Sequence, residues 1–354
     1  MALPVLLLWT FACDRNPPTS GTGSPDGDAD ADSDADADSD ADADADTDTD
    51  TDPVTDAEIV RVVTWNLESL DAVGSEPYLA ARDVLARIDA DVVALNEIDW
   101  DDDAALAALA DELGYDTVVS PDTNPFGSLH NAVLSRLPVL RSTVWTSAAL
   151  ADESLANDLT RWPVSVEVET PGGGTLAVVA QHWKSGFFTV DEFRRVIDGV
   201  RTAQAAMLAS TPAVVAMGDV NAELTDPAPD IATWTYVPDD VPGDYRIGGD
   251  LAALLDGAGI PNDVFAPMAD AGLEVVDARQ MDGRYTTRNE SGRRLDYAFV
   301  HPSVQVMGAE VYDSADETLE GLPKAGDPPD REASLTAADH YPVFVDLFVD
   351  AAER

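Results

Sequence analysis

The chain predicts a layered α/β domain behind a solvated N-terminal leader, and three observations carry that prediction. From Ile59 to Phe348, short apolar β-branched runs alternate with longer stretches of helical periodicity, the pattern of strands packed against helices. The composition changes sharply once, near Asp56, and leaves roughly 300 residues as one unit, ample chain to bury a core without disulfides. Six polar motifs sit at the ends of apolar runs: Trp65-Asn66, Asn96-Glu97, Gln181-His182-Trp183-Lys184-Ser185, Gly218-Asp219-Val220-Asn221, Arg294-Leu295-Asp296-Tyr297 and Asp339-His340-Tyr341-Pro342.

Ile59 to Trp65, with Val60, Val62 and Val63, reads as a core strand. Glu76 to Asp89 sets Leu79, Val84, Leu85 and Ile88 at helical spacing. Asp91 to Leu95 is a second buried strand, and Asp102 to Leu113 a helix closed by Gly114. Further strands are expected at Ala132 to Leu134, Val164 to Val168 and Leu176 to Gln181, with Gly172-Gly173-Gly174 turning between the last two. Phe193 to Leu208 is an amphipathic helix stopped by Thr211-Pro212, and Ala213 to Met217 is again a buried strand. Asp226 to Gly259 is a long Pro-, Asp- and Gly-rich loop with one helical piece at Leu251 to Leu255. Arg294 to Val300 and Val343 to Phe348 complete the strands.

The 354 residues carry a net charge of −48, much of it in the leader. From Asp26 to Asp52, Asp alternates with Ala, Ser, Thr or Gly, which leaves nothing bulky to bury and keeps like charges repelling. Residues 14–56 therefore read as a solvated linker. A calcium tract is the competing reading, but the run lacks the glycine turns of a calcium β-roll repeat. Ahead of it, Ala2 to Ala12 is apolar, too short to span a bilayer, and ends at Cys13, the only cysteine. Residues 1–13 resemble a bacterial lipoprotein signal, which implies export and a lipidated Cys13 anchored in a membrane. The absence of a basic residue before the run and Thr10 in place of leucine depart from that pattern, so an ordinary secretion signal or an idle cysteine remain open. The body, residues 57–354, is also acidic, with Lys184 and Lys324 its only lysines, which argues against gripping long duplexes by counterion release.

The motifs supply carboxylates, amides and imidazoles and almost no nucleophile, an inventory suited to a divalent metal and a phosphate ester. Glu97, at a strand end, is a hard oxygen ligand of the kind Mg²⁺ or Mn²⁺ takes; the bland reading is a solvated carboxylate. The two-residue step from Asp219 to Asn221 places both side chains on one side of an extended segment, where one can hold the attacking water and the other donate to phosphate. Asp339 is a second oxygen ligand on the metal side. Lys184 offers a point charge to phosphate, with a plain surface role equally open. His301, before Pro302, fits a turn, and His130 could reach the cleft edge. No phosphate-cradling Gly-rich loop, cysteine zinc site or serine nucleophile elbow is present.

The order and spelling of these motifs resemble the endonuclease/exonuclease/phosphatase superfamily, the deoxyribonuclease I-like metal-dependent phosphoesterases, from about Ile59 to about Phe348. The resemblance implies an α/β four-layer sandwich, two central mixed β-sheets flanked by helices. It makes Asn66 a support of the metal site, pairs Asp296 with His340, gives His182 the place of the other active-site histidine, and likens Arg161 to the family arginine on the strand before, with a structural ion pair as the alternative role for Arg161. Asn96 stands where glutamine is usual, a shorter amide that leaves Glu97 unaffected. The expected set is thus Asp219, Asn221, His182, Asp296 and His340 for catalysis, Glu97, Asn66 and Asp339 for Mg²⁺ or Mn²⁺, and Arg161 and Lys184 for phosphate. Ca²⁺ stays open as a structural ion.

The function expected is metal-assisted in-line hydrolysis of a phosphodiester, with nucleic acid as first substrate and no protein partner implied. The runner-up within the fold acts on lipid headgroups or small organic phosphates, for which Trp183, Phe187 and Phe188 are the candidate membrane contacts. A non-catalytic binding module is the rival from another class, and retention of the full set of acids and histidines argues against it.

Overall fold

Alternation along the β-branched runs sends one set of side chains between two sheets and the other set beneath helices. The computed structural model describes residues 58–121, 127–226, 237–249, 263–317 and 321–350. The leader expected at 1–13 with Cys13, the linker expected at 14–56 and the helix expected at Leu251 to Leu255 lie outside these described residues.

In chain order the first half runs β1 (Ile59–Asn66), α1 (Glu76–Ile88), β2 (Val92–Ile98), α2 (Asp103–Leu113), β3 (Thr117–Val119), β4 (His130–Ser135), β5 (Val139–Val144), α3 (Ser147–Ala151) and β6 (Val164–Glu169). The second half runs β7 (Thr175–Ala180), α4 (Thr189–Met207), β8 (Val214–Asp219), α5 (Ala266–Asp270), β9 (Glu274–Val275), β10 (Asp296–Val300), β11 (Gln305–Val311), α6 (Ala333–Ala337) and β12 (Val343–Phe348). One six-stranded sheet has the order β11-β12-β1-β2-β4-β3 and the other β5-β6-β7-β8-β10-β9. Both are mixed. β1–β2 and β7–β8 are parallel pairs joined through α1 and α4, and the remaining pairs are antiparallel.

Val60, Val62, Val92 and Ala94 of the first sheet meet Val166, Val178, Val215 and Met217 of the second in an inter-sheet core. Each such valine, withdrawn fully from water, contributes about 1.5–3 kcal/mol. The other face of the first sheet (Val63, Trp65, Leu95) packs on Val84 and Leu85 of α1 and Leu109 of α2. The other face of the second (Val179, Ala216, Phe299) packs on Phe193, Val196 and Ile197 of α4. Helix, sheet, sheet and helix make the four layers that the resemblance implied. Among the described residues, no helix is long and apolar enough to cross a membrane.

Several details differ from expectation. Leu79, expected in the buried stripe of α1, is exposed, because Tyr78 and Ala81 take the sheet-facing positions. α4 starts a turn before Phe193: the Asp191 carboxylate accepts the Phe188 N–H at 3.2 Å and caps the extra turn. β10 starts at Asp296, not Arg294. His301 occupies a turn, its carbonyl accepting the Val304 N–H. His130 stacks on Trp100 with ring centroids 4.7 Å apart.

Candidate active site

Pairing register brings the motif residues to one end of the sandwich. Asn66 lies opposite Asn96 across the parallel β1–β2 pair, and Asp219 lies opposite Asp296 across β8–β10. His182 follows β7, whose partner β8 ends at Asp219. At this end the Asn66 Nδ2 donates both to Glu97 Oε1 and to Asp219 Oδ2 at 3.1 Å, so one amide ties the acids of the two sheets together. His182 Nε2 stands 3.5 Å from Glu97 Oε1 and 3.4 Å from Asp219 Oδ2. The ligand atoms of Glu97, His182 and Asp219 all lie within 4.8 Å of one another. That identifies the two carboxylates facing His182, a partner the sequence did not reveal.

The backbone is bent to aim these groups. Glu97 has φ 60°, where a residue with a Cβ is strained, and the β2–β4 register shifts between Leu95 and Ile98. The bulge turns Glu97 toward the cleft while Asn96 points inward. Asn96 Oδ1 accepts the Asp219 N–H at 3.0 Å, and its Nδ2 donates to Asn131 Oδ1 at 2.8 Å and Gln181 O at 3.0 Å, linking four strand ends. Asn221 is not on an extended segment as the two-residue step suggested; its φ is 52°. A left-handed turn folds it back instead. Its N–H donates to Asp219 Oδ1 at 2.8 Å, and its Nδ2 to Asp219 Oδ2 at 3.0 Å and Trp183 O at 3.1 Å. These donors are engaged with the protein, which makes Asn221 a positioning residue for Asp219.

His340 Nδ1 donates to Asp296 Oδ2 at 2.7 Å, the pair the resemblance implied, and the His340 carbonyl accepts the Trp65 indole N–H at 2.8 Å. Burial opposes the imidazolium, but Asp296, Asp219 and Asp339 outweigh it and raise the His340 pKa to about 10. Burial likewise opposes the Asp219 carboxylate, yet His182, His340 and the Asn221 N–H hold its pKa well below the usual carboxylate range. Asp339 lies outside the three-residue cluster: its carboxylate binds Arg288 at 3.0 Å and stands 3.7 Å from His340 Nε2. Asn66 presents its NH₂, not its oxygen, to the acids, since its Oδ1 accepts the Glu68 N–H.

The sequence model of the Endonuclease/Exonuclease/phosphatase family matches residues 63–340. The chain belongs to the endonuclease/exonuclease/phosphatase family. Membership makes it a phosphoester hydrolase of a divalent-metal-dependent kind. No curated protein matches the chain. Solved structures with the same architecture include an endonuclease/exonuclease/phosphatase from Beutenbergia cavernae DSM 12333, 24% identical over 83% of this chain and 72% of that one, TM-score 0.52. The human nocturnin catalytic domain with a bound sulfate anion is 16% identical over 82% and 93%, TM-score 0.51. A family protein from Bacteroides vulgatus is 15% identical over 82% and 99%, TM-score 0.52. At these identities the likeness speaks to the fold alone.

The two candidate phosphate cations of this family member part company. Arg161 donates to Trp183 O at 3.3 Å within the fields of Glu97, Asp198 and Asp219, although burial lowers its pKa. Lys184 is turned away into an ion pair with Asp191 at 3.2 Å, so the structure does not bring it to the acids.

Two bracing residues escaped sequence reading. Arg195 Nη1 donates to Asn221 O at 2.6 Å and Lys184 O at 3.0 Å. Asp198 accepts the N–H groups of Thr160 and Lys184, each at 2.8 Å, and so spans the segments bearing Arg161 and His182. Their only sequence signal is charge interrupting the buried face of α4. Burial, partly offset by those N–H donors, pushes the Asp198 pKa from 3.8 up to about 6. The native state then holds the proton more tightly than the unfolded chain. Its stabilising contribution is full below about pH 4 and lost as pH rises through about 6, a change of about 3 kcal/mol. In urea denaturation, the stability of the protein relative to Asp198→Asn is expected to fall by about that amount between pH 4 and pH 7. A difference that does not change with pH would contradict the assignment.

Proposed function

We propose that the protein is an exported phosphodiesterase that cleaves nucleic acid, using Mg²⁺ or Mn²⁺ held by Glu97, Asp219 and His182. The observation that carries this reading is the convergence of two carboxylates and one imidazole, their ligand atoms within 4.8 Å, where strand ends of both sheets meet. Hard carboxylate oxygens suit Mg²⁺ and Mn²⁺. When bound, the ion supplies Lewis-acid charge stabilisation at phosphate oxygens and a lowered pKa for water.

The chain's own groups do the rest. Asn66 clamps the two acids, and Asn221 and Asn96 fix Asp219 from either side. Asp219, kept ionised, orients the attacking water, whose pKa a bound ion would lower. His340, kept protonated by Asp296, donates to a phosphate oxygen as negative charge builds in the in-line transition state. Arg161 adds positive charge, and Asp339 with Arg288 flanks His340. Export rests on the leader at 1–13, with Cys13 as lipid anchor and residues 14–56 as spacer.

Hydrolysis of a short single-stranded oligonucleotide and of bis(p-nitrophenyl) phosphate is expected to vanish in EDTA and return with Mg²⁺ or Mn²⁺. EDTA-resistant turnover would sink the metal assignment; metal-restored cleavage of the small diester alone would sink the nuclease assignment. A second reading, a phosphodiesterase on lipid headgroups, is favoured by one observation. Phe187 and Phe188 are 84% and 75% exposed in the segment that follows His182, whereas Trp183 is buried in the core. Cosedimentation with phosphatidylcholine vesicles, lost in Phe187→Ser with Phe188→Ser, would support that reading.

A further inference from the structure

A cavity of about 500 Å³ opens beside the strand ends, lined by Leu224, Val275, Tyr285, Arg294, Tyr297 and Glu223. It adjoins the site through the chain on two sides: Glu223 is two residues beyond Asn221, and Arg294 two residues before Asp296. Leu224 N–H donates to the Tyr297 hydroxyl at 3.3 Å and fixes one wall. The Arg294 guanidinium carbon lies 4.5 Å from the Tyr297 ring centroid and 5.1 Å from that of Tyr285, whose ring also carries Arg279 at 4.5 Å. Aromatic rings and a guanidinium plane thus form a ladder along the cavity. Arg294 Nη2 donates to Val276 O at 2.7 Å, but its buried Nε–H has no acceptor among the described residues. A buried donor without a partner is costly, and a ligand oxygen or ring nitrogen would satisfy it.

We infer that this cavity receives an unpaired nucleobase of the substrate strand, adjacent to the scissile phosphate; the inference rests on the nuclease reading above. A flat ring fits against Tyr285, which is 38% exposed, and the guanidinium plane of Arg294, with the buried Tyr297 backing them and Leu224 and Val275 as apolar walls. The neighbouring guanidiniums of Arg293 and Arg279 are held in ion pairs, by Glu223 at 3.2 Å and Asp277 at 2.8 Å, so neither is free to clamp a second phosphate. Arg294 Nε is the donor left for a base acceptor. This also fits the composition of the chain. An acidic body gains little from counterion release, so strand affinity comes from stacking, and duplex DNA, whose bases are already stacked, is a poor substrate.

The test is an abasic scan. Single-stranded oligonucleotides with one tetrahydrofuran nucleotide moved position by position around a unique cleaved bond are assayed for kcat/KM with Mg²⁺. The expected result is a loss of roughly tenfold at one position next to that bond, nearly all of it in KM. In Leu224→Trp, which fills the cavity from its half-exposed rim, the ratio of intact to abasic substrate at that position is expected to fall to about one. A flat scan, or a ratio unchanged in Leu224→Trp, overturns the pocket while leaving the nuclease reading in place. Cleavage of bis(p-nitrophenyl) phosphate with no cleavage of any oligonucleotide overturns the nuclease reading itself.

Discussion

Asp219→Asn is expected to lower kcat on a phosphodiester by roughly 10³-fold or more while leaving the fold intact. Asparagine has the shape of aspartate, so the Asn221 N–H keeps an oxygen to donate to, and the inter-sheet core beneath it is untouched. What disappears is the charge and, at the Oδ2 position, the acceptor for the Asn66 and Asn221 amides. Asp219 is the point where three devices meet: the Asn66 clamp, the His182 imidazole at 3.4 Å, and the field that helps raise His340. The variant therefore loses a metal-side oxygen, the charge that orients the water, and part of what keeps His340 protonated. Because these act as one unit, a further His340→Gln change should cost much less in the Asp219→Asn background than alone. Near-normal turnover of Asp219→Asn at saturating metal, with unchanged circular dichroism, would remove Asp219 from the mechanism.

What the sequence made legible follows from burial. The eight interior strands, β1, β2, β4, β6, β7, β8, β10 and β12, were all expected, because strands flanked by neighbours and covered on both faces read as continuous apolar runs. The four that were not expected, β3, β5, β9 and β11, are the four sheet edges. β5 carries Arg141, Ser142 and Thr143, and β11 exposes Val306 and Met307, so each is half-solvated and loses the buried signal. In the site, residue identities were legible because metal and phosphate chemistry demands particular side chains. Directions were not. Asn221 reaches Asp219 through a left-handed turn, Lys184 turns to Asp191, and Asn66 shows the acids its NH₂, each decided by hydrogen bonds to residues distant in sequence or to backbone atoms. Asp198 and Arg195 were invisible for the same reason, since their partners are main-chain groups, which carry no letter.

Gly218→Ala tests how tightly that geometry is set. The Gly-Asp-Val-Asn motif reads as chemistry at Asp219 and Asn221, yet its glycine is a steric requirement. Gly218 has φ 145°, and a Cβ built on it would stand 1.8 Å from the Gln181 carbonyl oxygen and 3.0 Å from Asn96 Oδ1. The obstacle is backbone on the neighbouring strand, which cannot swing aside as a flexible side chain would. The Gln181 N–H donates to Met217 O at 3.0 Å and its carbonyl accepts from Asn96, so moving it strains β7, β8 and the Asn96 hub together. Strain at a left-handed position and overpacking each cost about 1–3 kcal/mol, so a loss of roughly 2–6 kcal/mol is expected from the urea midpoint. The protein that still folds should show a lower kcat, because relief of the clash displaces the segment that holds His182 and Asp219. A Gly218→Ala variant with the parent midpoint and full turnover would mean that β7 and β8 separate freely here, and that the aim of these two residues does not depend on their close approach.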